Sequence, residues 1–244
     1  MRRFIIAVTV LTVLAVLGSC SNGSDKNLLE NMFDIEARSS KNAPPSSVEE
    51  LKAGIAKYGD QAEKAAIAME KVGMYWRLLS VKYLEKGLYG DAYDAALKSL
   101  RHYPNASGSY YVVGLSSAML SKVASVTLGA DPSRADWLAI SENAYKRSIE
   151  FDPLNARSQY GLAVLYSFEL DDNEAALKPI ESFLATDSKN VDGLFVYARI
   201  LYGLGRLQDS ANAYDRIIAT TRIDEKKQQA ADNKKRILDE LYGK

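Results

Sequence analysis

Few side chains in this sequence could perform catalysis. The 244 residues include one histidine, His102, and one cysteine, Cys20. The acidic pairs Glu49-Glu50 and Asp171-Asp172 fit helix N-termini, where carboxylates complement the helix dipole. The sequence shows no cluster of histidines and cysteines, no phosphate-binding loop and no nucleophile elbow. These observations predict that the protein is not an enzyme and that it uses no cofactor and no metal ion.

Cys20 is the residue with the most specific expected chemistry. Two arginines precede an apolar run over residues 4–18, and the run leads into the tetrapeptide Leu17–Cys20. A basic start followed by a short apolar core is typical of a targeting segment. The tetrapeptide resembles a bacterial lipobox, in which an aliphatic residue and two small residues precede the cysteine that is lipidated. The resemblance implies a signal peptide over 1–19 and a mature chain that begins at a lipidated Cys20.

Two other interpretations of the N-terminus stay open. The segment could be an uncleaved signal anchor, or a secretory signal with an incidental cysteine. The apolar run is shorter than the ~20 residues that a membrane-spanning helix needs. By resemblance to envelope lipoproteins, Ser21 after the cysteine implies the periplasmic face of the outer membrane, with the lipid as the only membrane contact.

Charge and composition exclude one class of partner. The 31 basic residues balance 31 acidic ones, and no basic block stands out. Nucleic acid is therefore not an expected partner.

The length allows one domain, or two, with a sizeable core.

Residues 20–46 are rich in serine, asparagine, glycine and proline, and the composition predicts a flexible tether. Within it, Leu28, Met32 and Ile35 stand at helical spacing. This short stretch either docks as a helix or is disordered, and the sequence does not decide between the two.

From residue 47 the pattern is helical. Ser47 and Glu50 form a capping box, and ten apolar residues then alternate at spacings of four and three. This stripe alone predicts a coiled coil, but several glycines weaken a single long helix. The sequence therefore favours a leading helix over 47–72, packed against a second helix that begins near Gly73. The stripe consists of Leu51, Ile55, Tyr58, Ala62, Ala65, Met69, Val72, Trp76, Leu79 and Tyr83.

Two sets of small residues recur beyond this point and indicate an internal repeat. Successive members of the first set lie 34, 49 and 35 positions apart, and those of the second set 49, 34 and 35. Both sets therefore give a unit of about 34 residues with one insertion of about 15. The first set is Ser80, Gly114, Ala163 and Ala198, and the second is Ala92, Ser141, Ala175 and Ser210.

The residues around these positions resemble the tetratricopeptide repeat. The first-helix pattern of an aromatic, Leu-Gly and Tyr occurs as Trp76-Leu79-Ser80-Tyr83, and the second-helix pattern as Ser210-Tyr214, whereas Ala96 and Pro179 depart from it. The resemblance covers 73–222. It implies an all-α fold, a right-handed α-solenoid of about four helix hairpins, with a leading helix and a C-terminal capping helix. The hairpins would span 73–106, 107–155, 156–190 and 191–222, and the capping helix 223–244.

The first helices of such an array line a concave face. Positions three before, one after and four after each small residue share one stripe, because i, i+4 and i+7 stack on a helix. Aromatic residues and arginines on this stripe suit an extended peptide or a helix laid in a groove. The alternative is that some of the rings only pack on neighbouring hairpins. The predicted groove residues are Arg77, Val81, Tyr111, Leu115, Tyr160, Val164, Phe195, Arg199 and Tyr202.

Two further features are expected from the sequence. The insertion, near 121–136, lengthens both helices of the second hairpin, and Asp131-Pro132 would start the second of them. Pro179 predicts a kink or distorted turn, since proline removes a helical hydrogen bond. The tip of the long hairpin would carry apolar residues that either pack together or form a docking contact. They are Val123, Val126, Leu128, Trp137 and Leu138.

These patterns lead to one functional hypothesis and one alternative. The resemblance implies a membrane-anchored scaffold or adaptor lipoprotein of the bacterial cell envelope that binds a protein or peptide partner through its concave face. The alternative is an accessory lipoprotein of a solute transporter, with a small-molecule path or cavity in the repeats. An open groove would favour the first, and an enclosed cavity the second.

Overall fold

The computed structural model describes residues 47–124 and 133–243 of the chain. All regular elements in these ranges are helical, which confirms the predicted all-α repeat fold. A π-helical turn, Leu165–Glu169, follows α5 directly. The helices are α1 (Val48–Glu85), α2 (Tyr89–His102), α3 (Ser107–Ala124), α4 (Arg134–Phe151), α5 (Ala156–Val164), α6 (Asn173–Thr186), α7 (Val191–Gly203), α8 (Leu207–Thr220) and α9 (Asp224–Tyr242).

The described residues divide into two units between residues 65 and 66. The described part of the first unit is the N-terminal half of α1. The Ser47 N–H donates to the Glu50 carboxylate, and the Glu50 N–H donates to Ser47 Oγ, each at 3.1 Å. This confirms the capping box. Every side chain from residue 55 to 65 is exposed.

Helix α1 is continuous over 38 residues, so the prediction of a separate leading helix over 47–72 is wrong. Gly54 and Gly59 lie inside it, since a glycine weakens a helix by about 1 kcal/mol without ending it. Gly73 has a packing role instead. A Cβ atom there would lie 2.5 Å from the Cβ of His102, so this glycine lets the end of α2 approach closely.

The second unit stacks four helix hairpins, followed by α9. The C-terminal half of α1 packs against α2. Helix α3 pairs with α4, α5 with α6, and α7 with α8. Small residues lie where the paired helices cross. Ser141 Oγ donates to the carbonyl of Gly114 at 2.8 Å, and Ser210 Oγ to that of Ala198 at 2.7 Å. Larger side chains would separate the helices at these points.

Hairpin three contains one residue more than hairpins one and four. In those two, the glycine in the turn lies seven positions after the small residue of the first helix. In hairpin three, Asp171 lies eight positions after Ala163, and the π-helical turn Leu165–Glu169 takes up the extra residue. The turn residues Gly87, Asp171 and Gly205 share a left-handed backbone, with φ of 71°, 53° and 70°.

The extra residue shifts the repeat register of α6 by one position. Ala176 is fully buried and lies one regular repeat length before Ser210, whereas Ala175 is only half-buried. The assignment of Ala175 as the small residue of this helix is therefore wrong. Four residues beyond Ala176 lies the buried Ile180, so Pro179 does not occupy the repeat position that the sequence analysis gave it.

Pro179 lies inside α6, and the helix continues beyond it to Thr186. Its nitrogen carries no hydrogen, so the helical bond to the carbonyl of Ala175 cannot form. The kink at this site stays a prediction. The π-helical turn is a different irregularity, which the sequence analysis did not anticipate.

The long second hairpin differs from its prediction in two ways. Helix α4 begins after Ser133, whose side chain accepts from the Asp136 N–H in a capping box, so the expected start at Asp131-Pro132 is wrong. Trp137 packs edge-on against Tyr93, with ring centroids 5.3 Å apart.

Leu138 is buried in the core, so neither it nor Trp137 projects on a hairpin tip, and that prediction is wrong for both. Val123 is exposed, while Val126 and Leu128 lie outside the described residues.

The apolar core of the second unit falls into two clusters. The smaller joins α2, α3 and α4, and the larger extends from α4 to α9. Tyr145 packs between two hairpins at this boundary. A Cβ atom on Gly114 would lie 2.8 Å from its ring, and one on Gly161 would lie 2.6 Å from it.

Candidate functional site: two clefts on the first-helix face

Eight of the nine predicted groove residues line two clefts in the second unit, each of about 610 Å³. The ninth, Val164, is half-buried against the core. The structure therefore brings the predicted stripe together at two places. The N-terminal cleft contains Arg77, Val81, Tyr111 and Leu115, and the C-terminal cleft contains Tyr160, Phe195, Arg199 and Tyr202.

The N-terminal cleft lies between α1 and α3, with Arg157 of α5 at its edge. The Tyr111 ring lies 6.0 Å from the guanidinium carbon of Arg157 and 6.4 Å from the ring of Tyr145. Burial raises the pKa of Tyr111, and the Arg157 charge opposes this. The phenol is therefore neutral at physiological pH, so this wall offers an aromatic face with a hydroxyl.

Aromatic side chains form much of the C-terminal cleft. The rings of Phe195 and Tyr214 meet edge to face at 6.0 Å, and Tyr160 lies 5.1 Å from Phe183 behind it. These contacts fix the inner rings, because packed aromatic pairs hold one another in place. Tyr202 is 45% exposed and stands at the rim.

Some charges of the C-terminal cleft already have partners. Lys226 Nζ pairs with the Asp192 carboxylate at 2.6 Å, and the Tyr202 hydroxyl donates to Glu240 at 3.0 Å. The latter bond raises the pKa of Tyr202. The pair and the bond tie α7 to α9 and close one side of the cleft.

The arginines of this cleft are placed differently. Arg199 lies over the ring of Phe168, with 4.3 Å between its guanidinium carbon and the ring centre, and Arg236 donates to Asn233 at 2.5 Å. Among the described residues, neither has a carboxylate within ion-pair distance. Burial raises the pKa of Tyr214, while a hydrogen bond from Asn233 and the charges of Arg236 and Arg199 oppose this. The guanidinium groups of Arg199 and Arg236 therefore both oppose the rise in the pKa of Tyr214.

The contribution of α9 to this cleft was not predicted from the sequence. This helix repeats the stripe of α7 at the spacing of 34 residues that separates Asp192 from Lys226, and continuing the repeat count past hairpin four would have found it. The capping helix thus presents the same face as a fifth first helix would. The matching pairs are Asp192 and Lys226, Phe195 and Gln229, Arg199 and Asn233, and Tyr202 and Arg236.

Phe168 was also missed, and the π-helical turn explains why. An unbroken repeat register places Ser167 on the stripe, but Ser167 is buried and donates to Asn173 at 2.8 Å. The extra residue presents Phe168 to the cleft instead, where it is 50% exposed. The longer spacing from Ala163 to the turn was the available signal.

The described residues contain no group of three or more histidine, cysteine, aspartate or glutamate side chains arranged to hold a metal ion. Within residues 47–124 and 133–243, no helix combines the length and the apolar character that crossing a bilayer requires. The side chains that line the clefts offer aromatic faces, hydroxyls, amides, guanidinium groups and carboxylates, which can bind a ligand by stacking, hydrogen bonding and charge.

No protein-family model matches the chain, and no curated protein matches it in sequence. Solved structures do resemble it. One is a tetratricopeptide-repeat protein of Thermus thermophilus, TTC0263, with a TM-score of 0.54 and 16% identity over 75% of this chain and 95% of that one. A crystal structure of MamA gives a TM-score of 0.51 and 17% identity over 74% and 90%. MamA from Desulfovibrio magneticus RS-1 gives 0.50 and 12% over 71% and 97%.

Proposed function

From its tetratricopeptide-repeat fold, we propose that this protein is a lipid-anchored scaffold of the bacterial cell envelope that holds a protein or peptide partner in its first-helix clefts. The fold supports protein interaction in general. The lipobox-like tetrapeptide that ends at Cys20 supports the anchor and the envelope location. The protein performs no reaction in this proposal.

The observation that carries the proposal is the C-terminal cleft. It combines fixed aromatic walls with two guanidinium groups, of Arg199 and Arg236, that no carboxylate of the described chain neutralises. Guanidinium groups bind carboxylates through paired, charge-assisted hydrogen bonds. A segment with apolar side chains beside an acidic one would therefore complement this surface.

The exposure of the cleft favours an extended segment over a small solute. Tyr202 and Phe168 are each about half exposed, and Arg199 is exposed as well. A small solute is normally enclosed over most of its surface by its site. An exposed cleft can instead bind the middle of an extended peptide whose two ends continue into solvent.

The binding test uses residues whose loss does not disturb the core. Tyr160 and Phe195 pack against buried residues, so truncating them would mix stability with binding. We would crosslink intact cells that express the native chain, Arg199→Glu, Tyr202→Ala, or the control Tyr242→Ala, which removes an exposed tyrosine at the end of α9.

We expect one partner that is recovered with the native chain and the control but lost with Arg199→Glu. A partner that binds all four proteins equally would contradict the assignment of the cleft. The anchor is tested separately by the mass of the mature N-terminus in the native chain and in Cys20→Ser. A native chain without lipid would contradict the anchoring alone.

A further inference from the structure

Each of the two first-helix clefts contains a pair of arginines. Arg77 and Arg157 line the N-terminal cleft, and Arg199 and Arg236 line the C-terminal cleft. All four side chains are exposed, and in the described part of the chain no carboxylate lies within ion-pair distance of any of them. Each pair therefore offers positive charge and N–H donors to a ligand.

The carboxylates that line the clefts have other partners. Glu85 of the N-terminal cleft pairs with Lys82 at 2.6 Å, and Asp192 of the C-terminal cleft pairs with Lys226 at 2.6 Å. Glu240 accepts a hydrogen bond from a tyrosine at the rim, at 3.0 Å. Among the ionised side chains that line each cleft, the positive ones outnumber the negative ones by one. Both clefts are therefore complementary to a small number of carboxylates, and their charge is too low for a polyanion such as nucleic acid.

Helix α5 forms a wall that the two clefts share. Arg157 lines the N-terminal cleft, and Tyr160, three residues further along α5, lines the C-terminal cleft. Helix α5 contacts α3 on one side and α7 on the other. Because packed helices lie ~8–10 Å apart, the two arginine pairs are separated by ~20–25 Å, which an extended chain covers in about six to eight residues.

We propose that one extended segment of the partner binds in both clefts, and that it carries two acidic groups about six to eight residues apart, each beside apolar side chains. This inference rests on the proposed function. Each acidic group pairs with the two arginines of one cleft, because guanidinium groups bind carboxylates through charge-assisted hydrogen bonds. The neighbouring apolar side chains contact the aromatic walls at Tyr111 and Phe195. Two linked contacts bind more tightly than either exposed cleft does alone, since the second becomes intramolecular.

Peptide selection tests the two acidic groups. Full-length protein in detergent is exposed to a displayed library of random peptides of about 16 residues, long enough to reach both clefts and blocked at both ends. We expect enriched sequences with two acidic groups at the stated separation and aromatic or aliphatic neighbours. Enriched sequences with one acidic group, or with none, would overturn this inference and leave the proposed function standing. A selection without any enriched sequence would overturn both.

Charge reversal tests whether the two groups occupy the two clefts. In fluorescence anisotropy with an enriched peptide, Arg157→Glu and Arg199→Glu should each weaken binding about tenfold or more. The control Arg101→Glu, which reverses an exposed charge on α2, should leave the affinity unchanged and should match the other variants in circular dichroism.

Exchanging one acidic group of the peptide for lysine should restore binding to the variant of the matching cleft and not to the other variant. Loss of affinity in only one of the two cleft variants would overturn the binding of one segment in both clefts. Equal losses in all three variants would show that long-range charge, and not pairing in the clefts, attracts the peptide.

Discussion

Hairpins three and four of this molecule share one architecture and differ by one residue. Hairpin four follows the regular repeat from Ala198 to Gly205, whereas hairpin three carries its extra residue in the π-helical turn Leu165–Glu169. Both then place a buried small residue, Ala176 or Ser210, in the second helix. The π-helical turn therefore takes up the inserted residue within the first helix of the hairpin. The second helix then packs with the same repeat register as in hairpin four.

The difference also has a functional side. The π-helical turn presents Phe168 to the C-terminal cleft and places Glu169 2.7 Å from Arg134 of α4. Hairpin four presents Tyr202 from a regular helix. The π-helical turn therefore supplies one exposed aromatic residue of the cleft, and a regular helix supplies the other. Deleting one residue from each hairpin can distinguish the structural role of the π-helical turn from that of the regular helix.

Deleting one residue should have opposite consequences in the two hairpins. Without Phe168, hairpin three gains the seven-residue spacing of hairpin four, so we expect its fold to persist with a loss of about 1 kcal/mol or less. Without Tyr202, the spacing from Ala198 to the turn falls to six residues, one short of the regular repeat, so the turn at Gly205 no longer delivers α8 in register, which should cost more than about 3 kcal/mol.

Urea unfolding of both deletion variants, followed by circular dichroism, measures these changes. Equal losses of stability would show that the π-helical turn is not the site that absorbs the extra residue.

The sequence predicted much of this architecture, because small residues at helix crossings recur at a countable interval. The sequence-based prediction failed in hairpin three, where the repeat is one residue longer. Ala175 fits the repeat interval as well as Ala176 does, because adjacent alanines satisfy the same pattern, and only burial distinguishes them. The prediction of a hairpin tip for Trp137 and Leu138 is wrong because residue spacing does not show that α4 turns them towards Tyr93 and the core.

The boundary between hairpins two and three, where Tyr145 packs, should tolerate no added side-chain volume. A Cβ atom on Gly161 would lie 2.6 Å from the Tyr145 ring, whereas the matching position in hairpin four is Val196. Gly161→Ala should therefore destabilise the protein by about 1–3 kcal/mol through overpacking. Thermal unfolding measures the effect, and Tyr145→Leu in the same chain should relieve part of it. A neutral Gly161→Ala would contradict close packing at this boundary.

The same tyrosine should make stability sensitive to alkali. Burial, with a smaller effect of Tyr111, raises the pKa of Tyr145 well above the ordinary 10.0. Above pH 10 the unfolded chain loses this proton while the folded chain keeps it. The free energy of unfolding should therefore fall as pH rises, by up to about 1.4 kcal/mol per pH unit for this group.

Denaturant titrations between pH 8 and 11 should show a shallower decline for Tyr145→Phe than for the native chain. Identical slopes for the two proteins would exclude Tyr145 as a source of the pH dependence.

The turns of hairpins three and four differ in the residue that adopts the left-handed backbone conformation. Asp171 and Gly205 both have a left-handed backbone, with φ of 53° and 70°. Glycine adopts this conformation without steric cost, whereas aspartate adopts it with some strain. We expect Asp171→Gly to stabilise the protein by up to about 1 kcal/mol, and Gly205→Asp to destabilise it by a similar amount.

Chemical denaturation of the two single variants and of the double variant measures both effects and their sum. The effects should add, since the turns belong to different hairpins with no shared partner. If Asp171→Gly were destabilising, Asp171 would be held by contacts that the backbone angle alone does not explain, and the two turns would not be equivalent. Opposite and additive effects would show that hairpin three closes with the same turn geometry as hairpin four, so that its extra residue acts only within the π-helical turn.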